Sequence, residues 1–273
     1  MRGRRDQARR GVAVELRRAP GRFARVGHRG ASALAPENTL EALQLAVDLG
    51  CDMLEFDVLP LRDGTLVLAN SDDLHEVAHG TAHGSLRRRS LEELRRVAPQ
   101  LPTLDEALAF CADRLPAVGL QLDLKRRGVE EAVARSVRRH AVAERSWVSG
   151  FDASSLRRMA EVAPDIPRSY TLSRDRFGVA KRRAVAPVVR AAVAATGTSL
   201  PRRLPQLLAN AKATAATLHY SVASADTIRV AHEAGAAVYV WTVDDAALAQ
   251  ELVAAGADGI ITNDPRIFGS LKT

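Results

Sequence analysis

The chain of 273 residues is poor in several things at once. It has only two cysteines, Cys51 and Cys111, far apart and without metal-ligand spacing. That excludes a disulfide framework and a cysteine zinc site, and it favours reduced thiols in a cytoplasmic protein. Aromatic residues make up 4 % of the chain, so alanine, valine and leucine must carry the core. No apolar run approaches the roughly 20 residues of a membrane span. The basic N-terminus is not followed by an apolar stretch, which argues against a secretory signal. Acidic residues are scarce only at one end. Residues 1–25 hold nine arginines against Asp6 and Glu15, which accounts for the whole net charge of +7. The remainder is neutral, so the basicity describes a tail and gives no support for nucleic-acid binding. Residues 1–23 are expected as a disordered basic tail, and 24–273 as one domain.

What is present is alternation. Short apolar runs at 24–27, 52–59, 118–124, 146–150, 168–172, 216–220, 236–243 and 258–262 read as eight strands separated by helical patterns. RDG at 62–64 followed by TLVLA at 65–69 reads as a hairpin partner of the second strand. PENTLEALQLAVDLG reads as a helix capped by Asn38 and stopped by Gly50, and Thr103 with Glu106 opens another that runs through Phe110. Residues 71–100 are irregular and polar, with three histidines and the basic run RRR at 87–89. Eight strands in βα order predict an α/β fold, a TIM-type (β/α)8 barrel with a small insertion after the second strand unit. A doubly wound open sheet is the rival, but VGHRGAS lacks its GxGxxG turn.

In such a barrel the site lies at the C-terminal strand ends. There the sequence offers His28 and Arg29, then Glu55 and Asp57, then Asp123 and Lys125, then Trp241, and finally Asn263 and Asp264. Residues two apart on a strand face the same side. Glu55, Asp57 and Asp123 would converge, and three carboxylates in one place repel unless a cation sits among them. A hard divalent ion with oxygen ligands, Mg²⁺ or Ca²⁺, meets that need. With Arg29 and Lys125 alongside, the field suits a phosphate ester, and His28 can carry a proton. A plain Asp57–Arg29 ion pair is the structural alternative. Trp241 alone is as readily barrel packing.

HRGAS, APENTLEAL, GCDMLEFDV and RDGTLVLA resemble the opening signature of the glycerophosphodiester phosphodiesterases, and LQLDLK, WTVDD and DGIITNDP are similar to its later motifs. The resemblance spans about residues 24–268. It implies a TIM barrel and metal-dependent cleavage of a small glycerophosphodiester to glycerol 3-phosphate and an alcohol. It also implies His28 as catalytic acid or base, Arg29 and Lys125 as phosphate-binding, Glu55 and Asp57 as metal ligands, and Trp241 as a wall on the glycerol side. Asp123 stands where the family usually has a glutamate ligand.

The departure is Asn70, at the family's second catalytic histidine. An amide cannot shuttle a proton near neutral pH. Three accounts follow: an impaired phosphodiester-binding or regulatory protein, an enzyme with another proton route, or a substitution introduced to trap a ligand. His75, His79 or His83 could serve as that other route. A lipid-directed phospholipase D-like barrel is a further alternative, with the basic segment 174–203 facing a membrane. A solvated insertion is the plainer reading of that segment, and membrane contact is not favoured.

Overall fold

The computed structural model describes residues 14–19, 21–78, 80–173 and 186–271, and for 186–198 the backbone alone. Nine strands form one sheet: β1 (Ala24–His28), β2 (Met53–Pro60), β3 (Leu66–Leu68), β4 (Gly119–Leu124), β5 (Ser146–Gly150), β6 (Arg168–Leu172), β7 (Ala215–His219), β8 (Ala237–Trp241) and β9 (Gly259–Thr262). β3 is the antiparallel hairpin partner of β2. The other eight run parallel and close, because β1 pairs with both β2 and β9. This is the expected TIM-type (β/α)8 barrel.

The helices between strands are α1 (Leu40–Asp48), α4 (Leu104–Arg114), α5 (Glu130–Arg139), α6 (Ala153–Val162), α7 (Ala186–Ala211), α8 (Ala225–Glu233) and α9 (Ala246–Ala254), with α2 (Leu74–Val77) and α3 (Leu91–Val97) in the insertion. Short polar side chains start most of them: Asp152, Ser224 and Asp245 accept from first-turn backbone N–H groups, and Thr103 with Glu106 forms the expected capping box. Two boundaries differ from expectation. α4 runs on to Arg114, past Phe110. The cap of α1 is Thr39, whose hydroxyl accepts from the Ala42 N–H, because Asn38 is turned inward to the site.

Side chains facing into the barrel are layered by the period of two. Val26, Met53, Trp147, Ala215, Ala237, Tyr239 and Ile261 make an apolar floor. One step further along the same strands stand His28, Glu55, Ser149, Thr217 and Trp241. The alternate residues, among them Leu54, Phe56, Leu122 and Val240, pack outward under the helices. Within the segment expected as a disordered tail, residues 14–19 pack on the barrel. Leu16 is buried in the floor, its carbonyl accepts from the Tyr239 hydroxyl at 3.2 Å, and the Arg18 N–H donates to Asp258 at 2.9 Å.

Residues 71–100, expected as irregular, carry a small core of their own. Leu74, Ala78, Leu86, Leu94 and Ala98 pack against Leu59, Leu61, Val67 and Ala69 of the hairpin. Of the basic segment near 174–203, residues 174–185 lie outside the described residues, while Arg202 and Arg203 are exposed on α7. No helix of the described residues is long and apolar enough to cross a membrane.

Candidate active site

The turn after β1 sets the site. Arg29 has φ 55° and Gly30 φ 82°, both left-handed. A Cβ on Gly30 would come within 2.4 Å of the α1 backbone at Ala42, so only glycine fits where the turn meets the helix. This turn points the Arg29 N–H at Glu55 Oε2, 3.0 Å away. β1–β2 register sets His28 beside Glu55, and β2–β4 register sets Asp57 beside Asp123. One cavity is then lined by His28, Arg29, Glu55, Asn70, Asp123, Lys125 and Trp241, with Gln121, Phe151, Thr171, Thr217 and Ile261. Of the strand-end residues offered by the sequence, Asp57, Asn263 and Asp264 are absent from its wall, and Asp57 is wholly buried.

Glu55, Asp57 and Asp123 each offer an oxygen within 4.8 Å of the others. Around them stand two cations. Lys125 Nζ lies 2.6 Å from Asp57 Oδ1 and 2.7 Å from Asp123 Oδ2. Arg29 Nε lies 2.8 Å from Asp57 Oδ2, and Arg29 Nη1 lies 2.9 Å from Glu37. The Asp57–Arg29 pair weighed from the sequence therefore exists, inside the carboxylate cluster. Asn38 clamps the same aspartate: its Nδ2 donates to Asp57 Oδ2 at 2.9 Å, and its Oδ1 accepts from the Asp57 N–H at 3.0 Å. Burial alone would push Asp57 up, but Lys125 and Arg29 outweigh it and hold the carboxyl well below the usual range. Glu55 goes the other way. Burial, then Asp57 and Asp123, push it far above an ordinary carboxylate. Burial pulls Lys125 down, and Asp123, Asp57 and Glu55 more than restore it.

With all of them ionised, four carboxylates face two cations. The cluster carries an excess of negative charge on hard oxygen donors in a buried place. That donor set fits a divalent cation.

His28 is fixed from behind. Its Nδ1 lies 2.7 Å from Asn263 Oδ1. Asn263 Nδ2 donates to Asp244 Oδ2 at 2.6 Å, which settles the amide orientation. The Asn263 oxygen thus accepts, His28 carries its proton on Nδ1, and Nε2 faces Glu55 at 3.9 Å with a free lone pair. Burial, helped by Arg29, pushes the imidazole down to about 4. Asn263 stood among the polar strand-end residues in the sequence, but its hold on His28 crosses the closure of the barrel between first and last strands.

Asn70 follows β3. Its Oδ1 accepts from Arg29 Nη2 at 3.0 Å, so its Nδ2 is the group left for the cavity. The loop histidines do not take its place. His75 and His83 stack on each other with ring centres 5.0 Å apart, neither lines the cavity, and His79 lies outside the described residues. An imidazole that the sequence did not single out, His219, packs edge-on against Trp241 at 5.3 Å, with Nδ1 2.8 Å from the Ser221 hydroxyl.

The opposite wall holds three buried polar atoms without a hydrogen-bond partner: Gln121 Oε1, Thr171 Oγ1 and Trp241 Nε1. The Gln121 amide is oriented, because its Nε2 donates to Ser149 Oγ at 3.0 Å, and that hydroxyl donates to Asp123 at 2.6 Å. One acceptor, one hydroxyl and one donor thus stand buried and unpartnered in side chains that line the cavity.

Residues 28–267 match the model of the Glycerophosphoryl diester phosphodiesterase family. YhdW of Bacillus subtilis (strain 168), provisionally named a glycerophosphodiester phosphodiesterase, is 27 % identical over 256 residues, covering 88 % of this chain and 94 % of that protein. The glycerophosphodiester phosphodiesterase of Caldanaerobacter subterraneus subsp. tengcongensis is 25 % identical over 264 residues, covering 90 % of this chain and 96 % of that one. A crystal structure from Silicibacter pomeroyi DSS-3, provisionally named a glycerophosphoryl diester phosphodiesterase, superposes with a TM-score of 0.76 at 26 % identity, covering 94 % of this chain and 97 % of that one.

Proposed function

This chain belongs to the glycerophosphoryl diester phosphodiesterase family, and on that premise we propose that it hydrolyses glycerophosphodiesters to sn-glycerol 3-phosphate and an alcohol. The observation that carries the proposal is the single cavity in which a tautomer-fixed imidazole, a divalent-type carboxylate cluster and two cations meet. The activity belongs to one barrel domain, residues 24–273, with 71–100 inserted. Buried, unpaired Cys51 and Cys111 support a reducing compartment, the cytoplasm.

Glu55, Asp57 and Asp123 would hold a divalent ion, Mg²⁺ or Ca²⁺, as the all-oxygen donor set favours. An ion held there would supply Lewis-acid polarisation of a phosphoryl oxygen. Arg29 and Lys125 bind the phosphate as positive groups already in position. The glyceryl arm would lie against the cavity wall built from Gln121, Thr171 and Trp241. His28 Nε2 takes the proton from the nucleophile, either water or the neighbouring glycerol hydroxyl, whose cyclic phosphate water then opens, and the leaving alkoxide takes its proton from solvent. Nδ1 keeps its proton on Asn263 throughout.

Asn70 donates a hydrogen bond from Nδ2 to the leaving oxygen but delivers no proton. A lost acid–base group typically costs about 10² to 10⁴ in rate. Turnover is accordingly slow for poorly leaving alcohols. Asn70 is also what favours the second reading, a protein that binds phosphodiesters without cleaving them. Assay of sn-glycerol 3-phosphate release from glycerophosphocholine with each metal separates the two.

A further inference from the structure

Beside the catalytic cavity lies a wider groove of about 690 Å³, within the range of small-molecule sites. It shares Asn70, Lys125 and Phe151 with the cavity, so the two adjoin at these side chains. The cavity itself measures about 100 Å³, room for the glyceryl arm and little more. The alcohol that leaves past Asn70 therefore enters the groove.

The groove is basic. Arg127 is neutralised there by Asp152, 2.5 Å away. Arg87 and Arg126 are different. Arg87 comes from the insertion, and its Nε donates to the Pro60 carbonyl at 2.9 Å, which fixes the direction of its guanidinium. The Asp72 carboxylate accepts from the Arg87 backbone N–H at 2.7 Å and from the Ser85 hydroxyl, and makes no ion pair with the Arg87 guanidinium. Among the described residues neither Arg87 nor Arg126 makes an ion pair. Two guanidinium groups that make no ion pair among the described residues thus line a concave groove beside the cavity.

We propose that this groove is the leaving-alcohol subsite, and that Arg87 and Arg126 select an alcohol bearing its own phosphate group. Guanidinium groups bind phosphate through paired, charge-assisted hydrogen bonds. The inference rests on the phosphodiesterase reading and names its substrate class.

The test is calorimetric binding, with Ca²⁺ present, of three diesters that share the glyceryl half: sn-glycero-3-phosphocholine, sn-glycero-3-phosphoglycerol and sn-glycero-3-phosphoglycerol phosphate. The phosphate-bearing diester should bind at least about tenfold more tightly than the choline diester, with the neutral one between. Arg87→Gln and Arg126→Gln should each shrink that ratio, and rising salt should do the same. The wild-type series stands even if a variant fails to fold. An oligomer of glycerol phosphate run alongside separates a polymer end from a free alcohol as the source of that phosphate. Equal or reversed binding across the series overturns the subsite and leaves the phosphodiesterase reading in place. No binding by any of the three overturns both.

Discussion

Arg29 Nη2 donates to the Asn70 side-chain oxygen over 3.0 Å, so Asn70 is tied to the same guanidinium that pairs with Asp57 and Glu37. Asn70→Ala frees one edge of a guanidinium still held by Asp57 and Glu37, and under the proposed mechanism removes the donor to the leaving oxygen. We expect a rise in KM and a fall of about tenfold in kcat. Asn70→Asp neutralises Arg29 and repels phosphate, so its KM rises further than that of the alanine variant. Steady-state kinetics on the same diester checks both.

Metal removal is expected to abolish turnover, and Glu55→Gln to lower it at least about a hundredfold at any metal concentration within reach. The effect also has a signature apart from activity. An ion that binds only the folded state raises the melting temperature with its concentration. Ca²⁺ or Mg²⁺ should raise it in the wild type and fail to do so in Glu55→Gln. A wild-type melt indifferent to both ions contradicts the carboxylate cluster as a metal site.

Asn38 is the buried brace of Asp57, making one bond to its carboxylate and one to its backbone N–H. Asn38→Ala leaves the buried Asp57 N–H without an acceptor, removes one bond from a carboxylate that Arg29 and Lys125 still hold, and keeps a left-handed backbone without the asparagine that tolerates it. Urea denaturation should show a loss of about 3 kcal/mol. Activity should fall with it, because Asp57 loses its Asn38 brace.

Burial pushes the Cys51 and Cys111 thiols up to about 12. At pH 8 both are therefore neutral and shielded in the native protein. A thiol reagent at that pH should modify neither until denaturant is added, and then both. Fast reaction of either in the native state contradicts this burial.

The barrel was legible because its two periodicities are clean. Met53, Glu55 and Asp57 alternate with Leu54, Phe56 and Val58, and the first set faces inward while the second packs under helices. The same alternation in β4 brings Asp123 beside Asp57. Asn38 was misread because asparagine before a helical pattern is an ordinary cap, and nothing local says that its amide turns to a carboxylate nineteen residues on. The Asn263 clasp on His28 joins residues 235 apart, a contact that exists only once β9 closes on β1. Gln121, Thr171 and Phe151 enter the cavity by strand register alone. The core of the insertion was hidden because its apolar residues stand singly among polar ones and meet only over the hairpin.

The most direct test compares wild type with Asn70→His. Release of sn-glycerol 3-phosphate is measured with a choline leaving group and with p-nitrophenol, in Mg²⁺ or Ca²⁺. The expected result is metal-dependent release by the wild type. Asn70→His should accelerate it by about a hundredfold for choline and far less for p-nitrophenol, which leaves without a proton. Absence of product from both proteins with every metal contradicts the account.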